Sequence, residues 1–295
     1  MHAKQLHIDV ALAKALIRGQ FPEFDGEAIV RLETPGTVNA IFRIGRGHVA
    51  RFPLQMTSAE TVGQELAAMR ELVAQCPVAT PVPVAIGRPG HGYPSAWSVQ
   101  SWIEGETATP HSVSHSAGFA LDLAGLVLRL RSADTMGRPF DGKGRGGSLP
   151  DHDAWMAKCL VRSENLLDVP VLRAMWAGFR VLPHPGRVVM SHRDLTPANL
   201  LVRDERLAGV LDGGSFGPAD PALDLVVGWH LLDGERRRIF REAVGASDLE
   251  WRRGAAWAFE QAMGLVWYYR QTNPTMSALG QSTLARLIEE KADLT

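Results

Sequence analysis

Apolar residues recur along this chain at two spacings, and the change from one to the other divides it. Leu6, Val10, Leu12, Leu16 and Ile17 fall at helical intervals with Asp9, Lys14 and Arg18 between them. They predict an amphipathic helix that ends near Gly19. Segments 27–32, 40–44 and 48–52 then read as three short strands, linked by Thr34-Pro35-Gly36-Thr37-Val38-Asn39 and by the tight turn Gly45-Arg46-Gly47. Residues 58–75 return to helical spacing, with Leu66, Met69, Leu72 and Val73 as the packing face. The prolines of Thr80-Pro81-Val82-Pro83-Val84 enforce an extended link to two further strands, 84–87 and 97–102, with His91-Gly92-Tyr93-Pro94 as the turn.

Beyond Glu104 the short strands give way to long helical patterns. Helices are predicted over 114–130, 154–167, 171–182, 222–232, 234–244, 249–270 and 277–290, and a strand over 187–190. A β-hairpin follows Asn199, starting with Leu200-Leu201-Val202. The expected class is α+β with two lobes. Residues 1–103 form a small antiparallel sheet lobe and residues 104–295 a larger, mainly helical one. Segment 140–148, with Gly142, Gly144, Gly146 and Gly147, is the most polar loop of the chain and reads as a flexible flap or as a connection without function. Asp151 and Asp153 suit the start of the helix that follows it.

Composition narrows the classes of partner. A chain of 295 residues, 45% hydrophobic and 21% charged, can fill one large core or two modest ones. Its formal charge of −1 gives no electrostatic reason to expect nucleic acid or an anionic membrane. Cys76 and Cys159 have neither disulfide-framework nor zinc-ligand spacing, no apolar run approaches the roughly 20 residues of a membrane span, and the charged N-terminal helix is unlike a signal peptide. A cytoplasmic enzyme is the expectation, with its oligomeric state open.

One stretch carries most of the chemistry. Ser191-His192-Arg193-Asp194-Leu195-Thr196-Pro197-Ala198-Asn199 sets an acid and an amide five residues apart, and Asp212 follows thirteen beyond the amide. Phosphoryl transfer needs a carboxylate to accept the proton of the attacking hydroxyl. It also needs oxygen ligands to hold magnesium against the phosphates. Upstream, Arg51 on a strand and Glu65 on the next helix can form the ion pair that positions nucleotide phosphates, or can be a surface arginine and a solvated glutamate. The 34–39 turn covers phosphates with its N–H groups or is a plain surface turn. Backbone groups of Ser101 and Ile103 can meet an adenine edge, with Trp97 and Trp102 walling the ring.

His192 to Asn199, then Gly209-Val210-Leu211-Asp212-Gly213-Gly214 and Asp220-Pro221-Ala222-Leu223-Asp224-Leu225, resemble the catalytic core of the aminoglycoside phosphotransferase family, which shares the protein-kinase-like fold with the choline kinases. The resemblance implies Asp194 as catalytic base and Asn199 and Asp212 as magnesium ligands. It also implies ATP, or GTP, as the donor. His192 would shape the loop by hydrogen bonding, and Asp220 would brace it. The implied acceptor is an aminoglycoside-like or other antibiotic hydroxyl, with Asp233 and Glu235 beside Glu260 as candidate partners for substrate amines. A metabolic kinase for an amino alcohol or sugar, and a catalytically silent nucleotide-binding module, remain the alternatives. Three departures stand out. Arg51 replaces the lysine of the wider fold, Gly213 stands where an aromatic residue is common and predicts looser packing under the metal site, and the 34–39 turn lacks a full glycine signature.

Overall fold

The computed structural model describes residues 5–32 and 38–294. The chain divides into two compact units, Met1–Ala74 with Ala79–Glu104 and Leu211–Ser215, and Gln75–Val78 with Gly105–Val210 and Phe216–Thr295.

The first unit is built on five antiparallel strands: β1 (Ile29–Leu32), β2 (Asn39–Ile44), β3 (His48–Pro53), β4 (Pro83–Gly87) and β5 (Trp97–Ser101), in the order β1-β2-β3-β5-β4. Strict alternation in β2 sends Ala40, Phe42 and Ile44 inward. They join Ala13, Leu16 and Ile17 of helix α1 (Val10–Gln20), whose N-terminus is capped by Asp9 accepting from the Leu12 N–H at 2.8 Å. Phe52 stacks on Trp97 with ring centroids 4.5 Å apart and meets Phe42 and Tyr93 edge-on. Helix α2 (Ala59–Gln75) buries Val62, Leu66, Met69 and Leu72. The expected turn at 34–39 falls, for residues 34–37, outside the described residues.

The second unit holds β6 (Glu106–Thr107), β7 (Val189–Ser191), β8 (Leu200–Arg203), β9 (Arg206–Val210) and β10 (Gly217–Ala219), with β8 between β6 and β9 and β7 paired with β10. Its α-helices are α3 (Pro110–Val113), α4 (Ala117–Arg131), α5 (Asp153–Arg162), α6 (Val169–Phe179), α7 (Val226–Leu231), α8 (Gly234–Val244), α9 (Asp248–Tyr268), α10 (Pro274–Glu289) and α11 (Lys291–Leu294). Helix α9 is the central rod. It opens with the capping box Ser247 and Glu250 and is buried along most of its length. Close approach of α10 depends on Gly280, where a Cβ would sit 2.8 Å from the Ala262 carbonyl oxygen.

Two helices differ most from expectation. The helix expected over 154–167 stops at Arg162, because the chain must turn at Ser163 to reach Asp168, which caps α6 by accepting from the Val171 N–H. The helix expected over 222–232 begins as a tight 3₁₀ turn at Leu223–Leu225 and becomes α-helical only at Val226. There Asp220 accepts the Ala222 N–H at 2.9 Å and holds the turn. No helix among the described residues is long and apolar enough to cross a membrane.

Candidate active site

Strand β7 ends at Ser191 and delivers a loop whose shape is imposed by one buried acid. Asp224 is 2% exposed, and its two oxygens accept the N–H groups of His192 at 2.9 Å and Arg193 at 3.2 Å. This holds Arg193 at φ 69°, a left-handed conformation that a bulky residue keeps only when its surroundings enforce it. The turn brings Asp194 to Asn199, whose Nδ2 donates to the Asp194 backbone oxygen at 2.9 Å and to Asp194 Oδ2 at 3.0 Å. The amide nitrogen thus serves both the backbone and the carboxylate of Asp194. Asp194 Oδ1 accepts from Arg145 Nη2 at 3.2 Å.

Sequence reasoning gave the bracing role to Asp220; in the structure Asp224 braces this loop. Asp220, 1% exposed, instead accepts from Arg253 Nε at 2.8 Å, from Arg253 Nη2 at 2.6 Å and from Trp257 Nε1 at 2.9 Å. That cluster anchors segment 140–148. The Asp220 N–H donates to the Gly146 carbonyl at 2.8 Å and Arg253 Nη2 to the Gly147 carbonyl at 3.3 Å. At the other end Arg193 grips Asp141 with two hydrogen bonds, of 3.0 and 2.8 Å, and this contact holds the Asp141 carboxyl below the usual range. The segment expected as a flexible flap is a tied strap. Its glycines fit close contacts: a Cβ on Gly147 would sit 2.6 Å from the Phe140 ring.

Glu260, which sequence placed only beside other acids, is buried at 4% exposure in α9. Its Oε1 lies 2.9 Å from His152 Nδ1 and its Oε2 3.8 Å from Arg145 Nη1. Asp233 caps α8 by accepting from the Arg236 N–H at 2.8 Å and lies 2.5 Å from His115 Nδ1, and Glu235 pairs with Arg236 at 2.5 Å. Both therefore already have partners within the chain.

Within the first unit, Arg51 on β3 donates from Nη2 to Asp212 Oδ1 at 2.8 Å. The ion pair expected between Arg51 and Glu65 is thus made with Asp212. Glu65 is their electrostatic neighbour: burial pushes its carboxyl up, Arg51 pulls it down, and Asp212 adds to the rise. Asp212 itself has φ 58°. Gly213 does not loosen the packing beneath it. It is buried, and a Cβ there would stand 2.3 Å from Leu72 Cδ2, so Leu72 of α2 fills the room that an aromatic side chain at 213 would need.

At the end of β5 the Ser101 N–H donates to the Val82 carbonyl at 2.9 Å and its Oγ accepts from the Val82 N–H at 2.8 Å. The Ser101 N–H is therefore spent within the unit. Trp102 donates to the Gly47 carbonyl at 2.8 Å, and the Arg43 guanidinium lies 3.9 Å from its ring centroid. Among the described residues Ile103 makes no backbone–backbone hydrogen bond.

No group of three or more His, Cys, Asp or Glu able to hold a metal ion occurs among the described residues. An amide oxygen from Asn199 and a carboxylate from Asp212 are hard oxygen donors of the kind that bind magnesium together with phosphate oxygens and water. Each is a residue type that suits that ion.

The profile of the phosphotransferase enzyme family, APH, matches residues 27–257. Among solved structures, the GDP complex of wild-type aminoglycoside 2'-phosphotransferase-IIIa is similar at a TM-score of 0.68 and 20% identity, covering 98% of this chain and 100% of that one. Macrolide 2'-phosphotransferase MphH from Brachybacterium faecium is similar at 0.62 and 20% identity, covering 92% and 98%. The gentamicin complex of APH(2")-IIa follows at 0.60 and 17% identity, covering 95% and 97%. At these identities the likeness is one of fold. No curated protein matches the chain.

Proposed function

Because this chain belongs to the phosphotransferase enzyme family, we propose that it transfers the γ-phosphoryl group of ATP, or of GTP, to a hydroxyl of a small antibiotic-like molecule, with Asp194 as the catalytic base. The observation that carries this reading is the orientation of Asp194. One carboxylate oxygen and the backbone oxygen are held by Asn199, on a loop that Asp224 locks in a strained turn. A base held in one place suits a reaction in which positioning and charge neutralisation do most of the catalysis.

In this reading residues 1–103 are the nucleotide-binding lobe and residues 104–295 the catalytic and substrate-binding lobe. Arg51 contacts the phosphates, Glu65 sets the charge around it, and backbone groups of Ile103 meet the nucleobase edge, while Ser101, whose N–H and Oγ are spent on Val82, fixes the strand end before it. Magnesium, held by Asn199 and Asp212, would neutralise charge on the phosphate oxygens. Asp194 takes the proton from the acceptor hydroxyl as that oxygen attacks phosphorus, and the bond from phosphorus to the β-phosphate oxygen breaks. The nucleotide carried by a similar structure supports the donor, and the aminoglycoside and macrolide enzymes of similar fold support the acceptor class. The enzyme would act in the cytoplasm, where both ATP and magnesium are at hand.

The test is incubation with ATP and magnesium against a panel of aminoglycosides, macrolides, amino alcohols and sugars, read as the gain of one phosphoryl group in product mass. Transfer to an antibiotic hydroxyl is the expected result. Transfer only to an amino alcohol or sugar would move the chain to metabolism, and no transfer with no nucleotide binding would overturn the proposal.

A further inference from the structure

We infer that Arg145 selects the acceptor: its guanidinium stands at Asp194 and Glu260 where an ammonium of a polycationic acceptor would otherwise pair, so the site favours acceptors that carry few positive charges near the reacting hydroxyl. This rests on Asp194 being the catalytic base and names the substrate class of that same site.

Arg145 is held in place by the fold. Its strap is fastened on one side by Asp141 and Arg193, and immediately after Arg145 by the carbonyls of Gly146 and Gly147, which accept from Asp220 and Arg253. From this strap Nη2 reaches Asp194 Oδ1 at 3.2 Å and Nη1 lies 3.8 Å from Glu260 Oε2. Glu260 Oε2 is buried and has no hydrogen-bond partner. Among the described residues Arg145 is the ion-pair partner of this buried oxygen, so its guanidinium offsets the carboxylate's charge there.

Four other acids of the second unit are already paired. Asp153 is engaged by Arg180 and Trp176, Asp122 by Arg206, Asp233 by Arg236 and His115, and Asp141 by Arg193. A polyamine reaching Asp194 must displace a guanidinium or approach it against like-charge repulsion. An acceptor rich in uncharged hydroxyls or carbonyls meets the opposite situation, because guanidinium N–H groups not spent on the two carboxylates are donors toward its oxygens.

Calorimetric titration of kanamycin into the parent protein, R145Q, R145K and R145Q/E260Q tests this without requiring turnover, with thermal melting to confirm that each variant folds. R145Q is expected to bind kanamycin at least tenfold more tightly than the parent, R145K to stay within about threefold of the parent, and R145Q/E260Q to lose the gain. If R145Q binds kanamycin no better than the parent, including no binding to either, the inference is overturned. If the kanamycin shift appears but no acceptor is phosphorylated, the selection stands as a binding property and the proposed reaction falls.

Discussion

Asp224 accepts the backbone N–H of Arg193 at 3.2 Å, and with its other oxygen that of His192 at 2.9 Å. One buried carboxylate thus sets the backbone that leads into Asp194. Replacing it by alanine removes the Asp224 acceptor of the His192 N–H and leaves the Arg193 N–H with Ser191 Oγ at 3.0 Å, and a lost acceptor of this kind costs about 1–3 kcal/mol. D224A is expected to lose about 1–3 kcal/mol of stability in urea denaturation. Its kcat should fall about a hundredfold while ATP affinity stays within about twofold, since a displaced base harms the transition state more than nucleotide binding.

Leu72 and Gly213 form a pair of a different kind. A methyl at 213 would stand 2.3 Å from Leu72 Cδ2, and Leu72 is fully buried. G213A is therefore expected to destabilise the protein by about 1–3 kcal/mol through overpacking. Adding L72A should return part of that loss, so the double variant is more stable than the sum of the two single changes predicts. Denaturation midpoints of the four proteins check it.

The same contrast shows what could be read from residue order. Helix α8 matches the expected 234–244 at both ends because its signals are local: Asp233 caps its start and Gly245, at φ 67°, ends it. Strand β10, Gly217–Ala219, carries no apolar alternation and exists only through pairing with β7, a partner far away in sequence. The spacing of Asp194, Asn199 and Asp212 was visible in the sequence because a single loop and hairpin set it. Arg145 was not: an arginine among glycines reads as solvated, and its contacts with Asp194 and Glu260 depend on anchors at Asp220 and Arg253. Asp224 did leave a signal, an acid inside the apolar run Ala222-Leu223-Asp224-Leu225-Val226, of the kind that marks a buried and paired carboxylate.

Arg253 and Asp220 are both about fully buried and joined by two hydrogen bonds of 2.8 and 2.6 Å. Removing one partner leaves a buried charge uncompensated, so R253A is expected to cost about 3–5 kcal/mol. The strap should loosen first. Amide exchange at Arg145 and Gly146 is expected to quicken in R253A under conditions where α9 stays protected.

His230 is expected to make the protein acid-sensitive. Burial pushes its imidazole down to about 4 from an ordinary value of 6.5, against a smaller opposing contribution from its hydrogen bond with Gln261. Between these values the unfolded chain takes up a proton that the folded protein refuses, so stability falls as pH drops through the window from 6.5 to about 4 and this contribution levels off below it. The loss assigned to this group is about 3 kcal/mol. H230N should flatten that part of the pH–stability curve whatever its stability at pH 7, as read from urea midpoints across the window.

In the proposed reaction Asp194 accepts the proton of an acceptor hydroxyl during phosphoryl transfer. D194N keeps the size of the side chain and a carbonyl oxygen facing Asn199 Nδ2, which donates to Asp194 at 3.0 Å. The direct measurement is the rate of phosphoryl transfer from ATP to the best acceptor of the panel by the parent and by D194N, at saturating nucleotide and magnesium. A fall of about 10²–10⁴-fold with nucleotide affinity retained is the predicted result. Transfer by D194N at the parental rate would contradict the account.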